Sequence, residues 1–371
     1  MMHAHTTLAL ALTLPTAVVH AQTPDGSDLA KAVGAAARAE FTAPALLDRV
    51  HERPGSGRPL RLLEDLHVRL QAQQSSSQGE TALGFAFDFA KPIGTSETPE
   101  SESFDLVARG NVAFDSASNP DDFTTVMLRA RWFGSTMLGD DEKSRSERVA
   151  EFADPTAEEL AELDSGSSDV GRLTRAWAEK LERTLPTEVV WDGELHAGLE
   201  TNQTFGSRQM VFGLSTGVRP IAWNPEAALS RWNPFDVPAA ALRWLAGEPF
   251  RTSGRAWPTF VAGLDVVDAS SNDLRGAVTN DESYLRARLE AATRSRAFTL
   301  GGEELHFTAA WRFFQELDAP AGARQADIDT TSHLALGLEL PHGFELVYSA
   351  GRMPLDDQDD SVFAIGYHLD F

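Results

Sequence analysis

Leu305-His306-Phe307-Thr308-Ala309-Ala310-Trp311-Arg312-Phe313 alternates along its length. Leu305, Phe307, Ala309, Trp311 and Phe313 fall on one face, and His306, Thr308 and Arg312 on the other. A period of two sets an extended strand, because successive side chains of a pleated backbone point to opposite sides. Upstream, Tyr284 to Ala297 repeats the pattern with more charge. Arg286, Arg288, Glu290, Arg294 and Arg296 share one face, and Leu285, Ala287, Leu289 and Ala291 the other. A soluble sandwich turns a moderately polar face to water and an aliphatic face to its core. Here the apolar faces are rich in aromatics and the polar faces in charge.

Carrying the same count along the chain predicts twelve strands. They fall near residues 65–72, 83–90, 103–115, 123–135, 188–202, 208–221, 257–269, 283–299, 304–316, 332–340, 344–353 and 361–371. In the second, Leu83, Phe85, Phe87 and Phe89 alternate with Gly84, Ala86, Asp88 and Ala90. Segments of about ten residues, apolar outward and polar inward with flanking aromatics, are the signature of a transmembrane β-barrel. A closed barrel pairs every backbone N–H and C=O between strands, so a chain without an apolar helix can still live in lipid. The expected fold is therefore all-β, an antiparallel transmembrane barrel of about twelve strands with short helical insertions.

The chain ends Ser361-Val362-Phe363-Ala364-Ile365-Gly366-Tyr367-His368-Leu369-Asp370-Phe371. Phe363, Ile365, Tyr367, Leu369 and Phe371 share one face. This end resembles that of bacterial outer-membrane β-barrel proteins, whose last strand finishes on Phe with alternating hydrophobics before it. Gly366, Tyr367, Leu369 and Phe371 carry the resemblance. It implies recognition by the outer-membrane barrel assembly machinery, and a place in the outer membrane of a Gram-negative-type bacterium, in contact with lipid and lipopolysaccharide. No more specific family is suggested.

Composition agrees once the pattern is known. The 371 residues are 42% apolar, with 32 basic against 55 acidic side chains and a formal charge of −23. That balance argues against nucleic acid as a partner, since phosphate neutralisation needs clustered Lys and Arg. There is no Cys, which removes thiolate metal sites, disulfides and cysteine nucleophiles. The apolar run Leu8–Val19 followed by Val19-His20-Ala21 reads as a signal peptide over 1–21, cleaved after Ala21. Residues 22–60 form a helical and linker segment broken at Pro54–Pro59. The barrel then occupies 61–371, interrupted at 136–186 and 222–256. Helical patterns lie near Thr156–Leu163, Val170–Leu185 and Val237–Ala246.

With both termini in the periplasm, counting back from Phe371 puts the short turns Gly301-Gly302-Glu303 and Pro341-His342-Gly343 on the periplasmic side. Both insertions fall there too. They could plug the barrel, lie at the inner-leaflet interface through Trp232 and Trp244, or dock a periplasmic partner.

Candidate chemistry is sparse. Gly213-Leu214-Ser215-Thr216-Gly217 matches the nucleophile pattern of lipid and ester hydrolases, but Ser215 sits inside an alternating run. Gly213, Ser215 and Gly217 read more simply as small lumen residues. The strand histidines His67, His196, His306, His333 and His368 also fall on the lumen face. Asp356, Asp357, Asp359 and Asp360 are an oxygen-only cluster that could hold a divalent cation, although a solvated turn explains them as well. No cofactor-binding motif is present, and nothing in the sequence establishes an enzyme.

The lumen census carries more weight. Inward acids are Asp65, Asp88, Asp105, Asp192, Glu194, Glu200, Asp265, Glu290, Glu339 and Glu345. Inward bases are Arg69, Arg109, Arg129, Arg131, Arg286, Arg288, Arg294, Arg296 and Arg312. Arg286, Arg288, Arg294, Arg296 and Arg312 facing Asp192, Glu194 and Glu200 would set a transverse field that selects solutes. The expected function is passive: a channel or conduit for small polar or anionic solutes. The alternatives are a membrane-embedded, phospholipase-like lipid hydrolase, and a structural or assembly barrel acting through its insertions.

Overall fold

A computed structural model describes residues 66–75, 81–95, 102–114, 123–138, 185–279, 283–356 and 359–370. Twelve strands close into one antiparallel barrel in sequence order. They are β1 (Leu66–Ser75), β2 (Thr81–Thr95), β3 (Glu102–Ala113), β4 (Thr124–Leu138), β5 (Thr187–Thr201) and β6 (Arg208–Ile221). The second half is β7 (Thr259–Ser271), β8 (Ser283–Leu300), β9 (Glu303–Leu317), β10 (Thr330–Glu339), β11 (Phe344–Gly351) and β12 (Asp360–Asp370). Closure is made by β1 against β12, with Leu70 opposite Tyr367 and Ala72 opposite Ile365. No sheet edge is left, which is the condition for a sheet to survive in hydrocarbon. Pro92 is accommodated at a bulge in β2, where a missing N–H does not break the ladder. Further bulges lie in β6 and β8.

The barrel is inside-out relative to a soluble one. Its outer wall exposes Phe212 (61%), Leu214 (56%), Val266 and Ile365, whereas inward Asp265 and Arg286 are 0% and 2% exposed. Aromatics pair along that wall. Trp311 stacks on Phe313 at 5.9 Å and Phe344 meets Tyr367 edge-on at 5.0 Å. Trp132 lies over Gly193 and Trp191 over Gly134, and a Cβ at either glycine would collide with the indole.

The chain divides into two compact units. One comprises Pro54–Thr136, Glu188–Ile221 and Arg231–Phe371, and its described part is nearly all of the barrel together with the segment 231–258. The other comprises Met1–Arg53, Met137–Thr187 and Ala222–Ser230. Within it Ser230 Oγ donates to the carbonyls of Ala222 and Asn224. The expected signal peptide, the 22–60 segment, and the helices near Thr156–Leu163 and Val170–Leu185 lie outside the described residues, apart from Leu185 itself.

The expected helix near Val237–Ala246 forms as α1 (Val237–Leu245). It does not plug the lumen. α1 packs on β8, and the β8 residue that its anchor grips, Ser295, has the parity of outward Leu289. Two short helices sit in the opposite connections: α2 (Asp273–Gly276) between β7 and β8, and α3 (Ala321–Gln325) between β9 and β10.

Candidate functional site

Alternation sends a row of charges from β4 to β9 into one lumen, and they meet in contact. Arg286 on β8 reaches across β7 and β6 to Glu200 on β5, which accepts from Nη1 and Nη2 at 2.8 Å each. The same guanidinium donates to Asp265 on β7 through Nε at 3.1 Å and Nη2 at 2.9 Å. Asp265 also sits 3.0 Å from His196 Nε2 on β5, while Glu194 Oε1 is 3.2 Å from Nδ1 of the same ring. Glu194 in turn faces Arg129 and Arg131 of β4 at 3.7 Å, and Arg131 is 3.7 Å from Asp192. Arg288 pairs with Glu290 at 3.0 Å, and Glu290 with Arg312 at 3.5 Å. Paired, hydrogen-bonded charge of this kind is the form in which ionised groups tolerate burial.

The expected transverse field is therefore replaced by local neutralisation. Sequence alone sets Arg286 and Arg288 against Asp192, Glu194 and Glu200 across open space. In the structure Arg286 and Glu200 touch, and Asp192 and Glu194 are matched by neighbouring Arg129 and Arg131. Arg294 pairs with Glu339 at 2.7 Å, and Arg296 with Glu248, beyond α1, at 2.5 Å.

The glycines of the Gly213–Gly217 run make the network possible. His196 and Asp265 join over the bare backbone of Gly213, where a Cβ would lie 2.7 Å from His196 Nε2. Asp192 occupies the corresponding space over Gly217. Ser215 between them is inward and buried, in register with Glu194 and Gly263. Its hydroxyl makes no hydrogen bond to His196, whose two ring nitrogens face carboxylates. The nucleophile–base contact that a hydrolase needs is not formed.

Several participants escape strand counting. Arg275, on α2, folds inward to grip Glu316 in a bidentate pair at 2.7 and 2.8 Å and stacks 4.2 Å over Tyr284. Asn272 reaches Gln209 at 3.3 Å, and Gln209 donates to Glu200 at 2.6 Å. This end of the lumen is filled from the β7–β8 loop. Glu316 shares the parity of His306 and Arg312 and is within reach of the pattern; Arg275 lies on the short helix of the β7–β8 connection, outside any alternating run, and gives no signal.

Arg69 and Glu345 also pair with little exposure, whereas on two other walls the lumen charges stay wet. On the β2–β3 wall Asp88 and Arg109 pair at 3.0 Å with side chains 49% and 48% exposed. On the β8–β10 wall Arg294 and Arg312 are more open than their carboxylates, at 57% against 32% for Glu339 and 38% against 25% for Glu290.

No protein-family model matches this chain, and no curated protein matches it in sequence. The fold has structural likenesses. The NanC porin is 6% identical, with 82% of this chain and 100% of that one covered at a TM-score of 0.34. An active-site mutant of outer membrane phospholipase A from Escherichia coli is 10% identical over 94% of this chain and 98% of that one, at 0.38. A mutant porin from Rh. blastica is 10% identical over 82% and 99%, at 0.23. These likenesses are of fold alone.

The remaining candidates divide. Asp356 accepts from the Met353 N–H at 2.8 Å, and Asp360 from Ser75 Oγ and the Ser361 N–H. Asp357 lies outside the described residues, and no group of three or more acidic or histidine side chains placed to hold a metal occurs among the described residues. Of the C-terminal signal, Gly366 is inward beneath Arg69, and Tyr367 faces outward on Phe344. Leu369 sits near the end of β12, and Phe371 lies outside the described residues.

Proposed function

We propose that this protein is an outer-membrane barrel that passes small polar or anionic solutes by diffusion past fixed lumen charges, without a cofactor. One observation carries the reading. In the wet part of the lumen each of Arg294 and Arg312 is more exposed than the carboxylate that neutralises it. A near-neutral wall then presents guanidinium to a passing solute, and field strength in a narrow pore is set by what the wall presents. Arg288 adds two buried guanidinium nitrogens, Nε and Nη2, that make no hydrogen bond among the described residues, Nε lying 3.9 Å from Asp265. Export through a cleaved signal peptide, insertion by the barrel assembly machinery, and lipid with lipopolysaccharide as surroundings complete the proposal.

Single-channel recording of the refolded, full-length protein in planar bilayers tests it. Expected are small discrete conductance steps and a zero-current potential of anion-selective sign. Arg294→Gln with Arg312→Gln should move that potential toward cations while the barrel keeps its heat-modifiable mobility. A folded barrel without conductance would overturn the channel reading and leave a structural or assembly role.

A further inference from the structure

The connection from β6 to β7 carries a feature that a water-facing loop would not. α1 turns two alanines and Arg243 toward the barrel and its large apolar residues away. Ala239, Ala240 and Arg243 are buried, whereas Val237, Trp244 and Leu245 project outward, the last 74% exposed. A soluble amphipathic helix has the reverse order, with its large apolar side chains against the protein. Trp232, 81% exposed, and Phe250 extend the same surface on either side.

These side chains are held out by a fixed scaffold. The wholly buried carboxylate of Asp236 accepts from Arg243 Nη2 at 2.6 Å, the Ser253 N–H at 2.5 Å and Ser295 Oγ of β8. Arg243 also donates to the carbonyls of Arg251, at 2.8 Å, and of Arg296 on β8. Asn233 accepts from the Phe235 N–H at 3.1 Å and donates to the Ser253 carbonyl at 2.7 Å. Thr293 on β8 donates to the Ala256 carbonyl at 2.6 Å. The strap Arg231–Ala256 is thus clamped to the outer wall, at the end shared by the tight β8–β9 and β10–β11 turns.

Two observations identify what covers it. The exposed surface is continuous with the apolar belt, because Phe235 packs edge-on against Trp257 at 5.6 Å and against Phe260, the first outward residue of β7, at 5.7 Å. The charge is also locally reversed in a chain of net −23. The strap carries Arg231, Arg243, Arg251 and Arg255 against Asp236 and Glu248, and Asp236 is taken up by Arg243. Exposed Trp beside exposed Arg, on an element lying across a barrel rim, is the chemistry of the headgroup layer.

The geometry points to the strap Arg231–Ala256 as an in-plane anchor that beds Trp232, Trp244, Leu245 and Phe250 at the headgroup–acyl boundary of one leaflet and binds anionic phospholipid through Arg251 and Arg255. This rests on the barrel wall facing lipid, and the test separates the two. The native chain has no Cys, so single-cysteine variants accept a nitroxide at one place. Trp232→Cys, Trp244→Cys and Phe250→Cys report the strap, Leu214→Cys the belt, and Gln325→Cys the exposed end of α3 in the β9–β10 connection. Full-length protein is refolded into phosphatidylcholine vesicles with or without phosphatidylglycerol, folding is checked by heat-modifiable mobility, and oxygen and nickel-chelate collisions are read by power saturation. Expected is loss of nickel access at the three strap sites relative to Gln325→Cys, at a depth shallower than Leu214→Cys. Phosphatidylglycerol should deepen the strap labels, and Arg251→Glu with Arg255→Glu should abolish that deepening. Strap labels as open to nickel as Gln325→Cys, with Leu214→Cys in lipid, overturn the anchor and make the face available to a soluble partner. Deepening that survives the charge reversal overturns the anionic-lipid part. Leu214→Cys open to nickel overturns the barrel reading itself.

Discussion

Arg286 is the residue on which the lumen turns, since one guanidinium satisfies two carboxylates from two other strands. Removing one member of a buried ionic group costs more than the group contributes, because its partners stay charged and dry. Arg286→Met should lower the unfolding free energy by about 3–5 kcal/mol in urea titrations of the refolded barrel. Adding Glu200→Gln should recover part of that loss, and recovery of none would show that the two do not share an interaction. Gly213 offers a second test. Gly213→Ala pushes a methyl into the His196–Asp265 contact, so a cost of about 1–3 kcal/mol is expected by the same assay. A neutral result would mean that the His196–Asp265 bridge does not cross β6 there.

At the scale of elements, the strands were the legible part. Each of the twelve expected strands forms, with ends shifted by a few residues, because period two persists for eight residues or more and every apolar side chain has lipid or wall to face. Alternation also foretold which charges point inward along the described strands, with Arg296, whose guanidinium is taken by Glu248 of the strap, as the exception. It could not foretell which of them meet. Arg286 finds Glu200 three strands away because the curvature of the barrel brings β5 and β8 within reach of one side chain. The strap is a further case: α1 was visible as a helix, but whether it enters the lumen or lies outside depends on Asp236 finding Ser295. Asp236→Ala should release the strap while the barrel persists. Limited trypsinolysis should then cut at Arg243, Arg251 or Arg255 with heat-modifiable mobility retained. Unchanged resistance would mean that the Asp236 clamp does not hold the strap.

For the whole molecule, the −23 charge gives little guide to permeation, because the described lumen is close to balanced and its innermost charges are matched in contact. Selectivity in the proposed channel rests on the wet pairs instead. Exposed charges act over about 10 Å at 0.1 M salt and about 3 Å at 1 M. The zero-current potential under a fixed salt gradient should therefore shrink as both sides are raised toward 1 M. Neutralising Arg286 should affect stability far more than selectivity, which reverses the expectation from sequence, where all five arginines counted alike. A large selectivity shift in a stably folded Arg286→Met barrel would contradict this division.

Periodicity alone was enough for the class of fold, the number of strands and the facing of most residues along the described strands. Those properties follow from the local geometry of an extended backbone and from the need to pair every peptide group. The tertiary structure alone decided which lumen charges are spent on one another and which remain wet, that Arg275 closes into the network from the β7–β8 connection, and that the strap grips the outer wall. Those depend on the closure of the barrel, which sets residues from distant strands within a few ångströms of each other and is recorded in no local pattern.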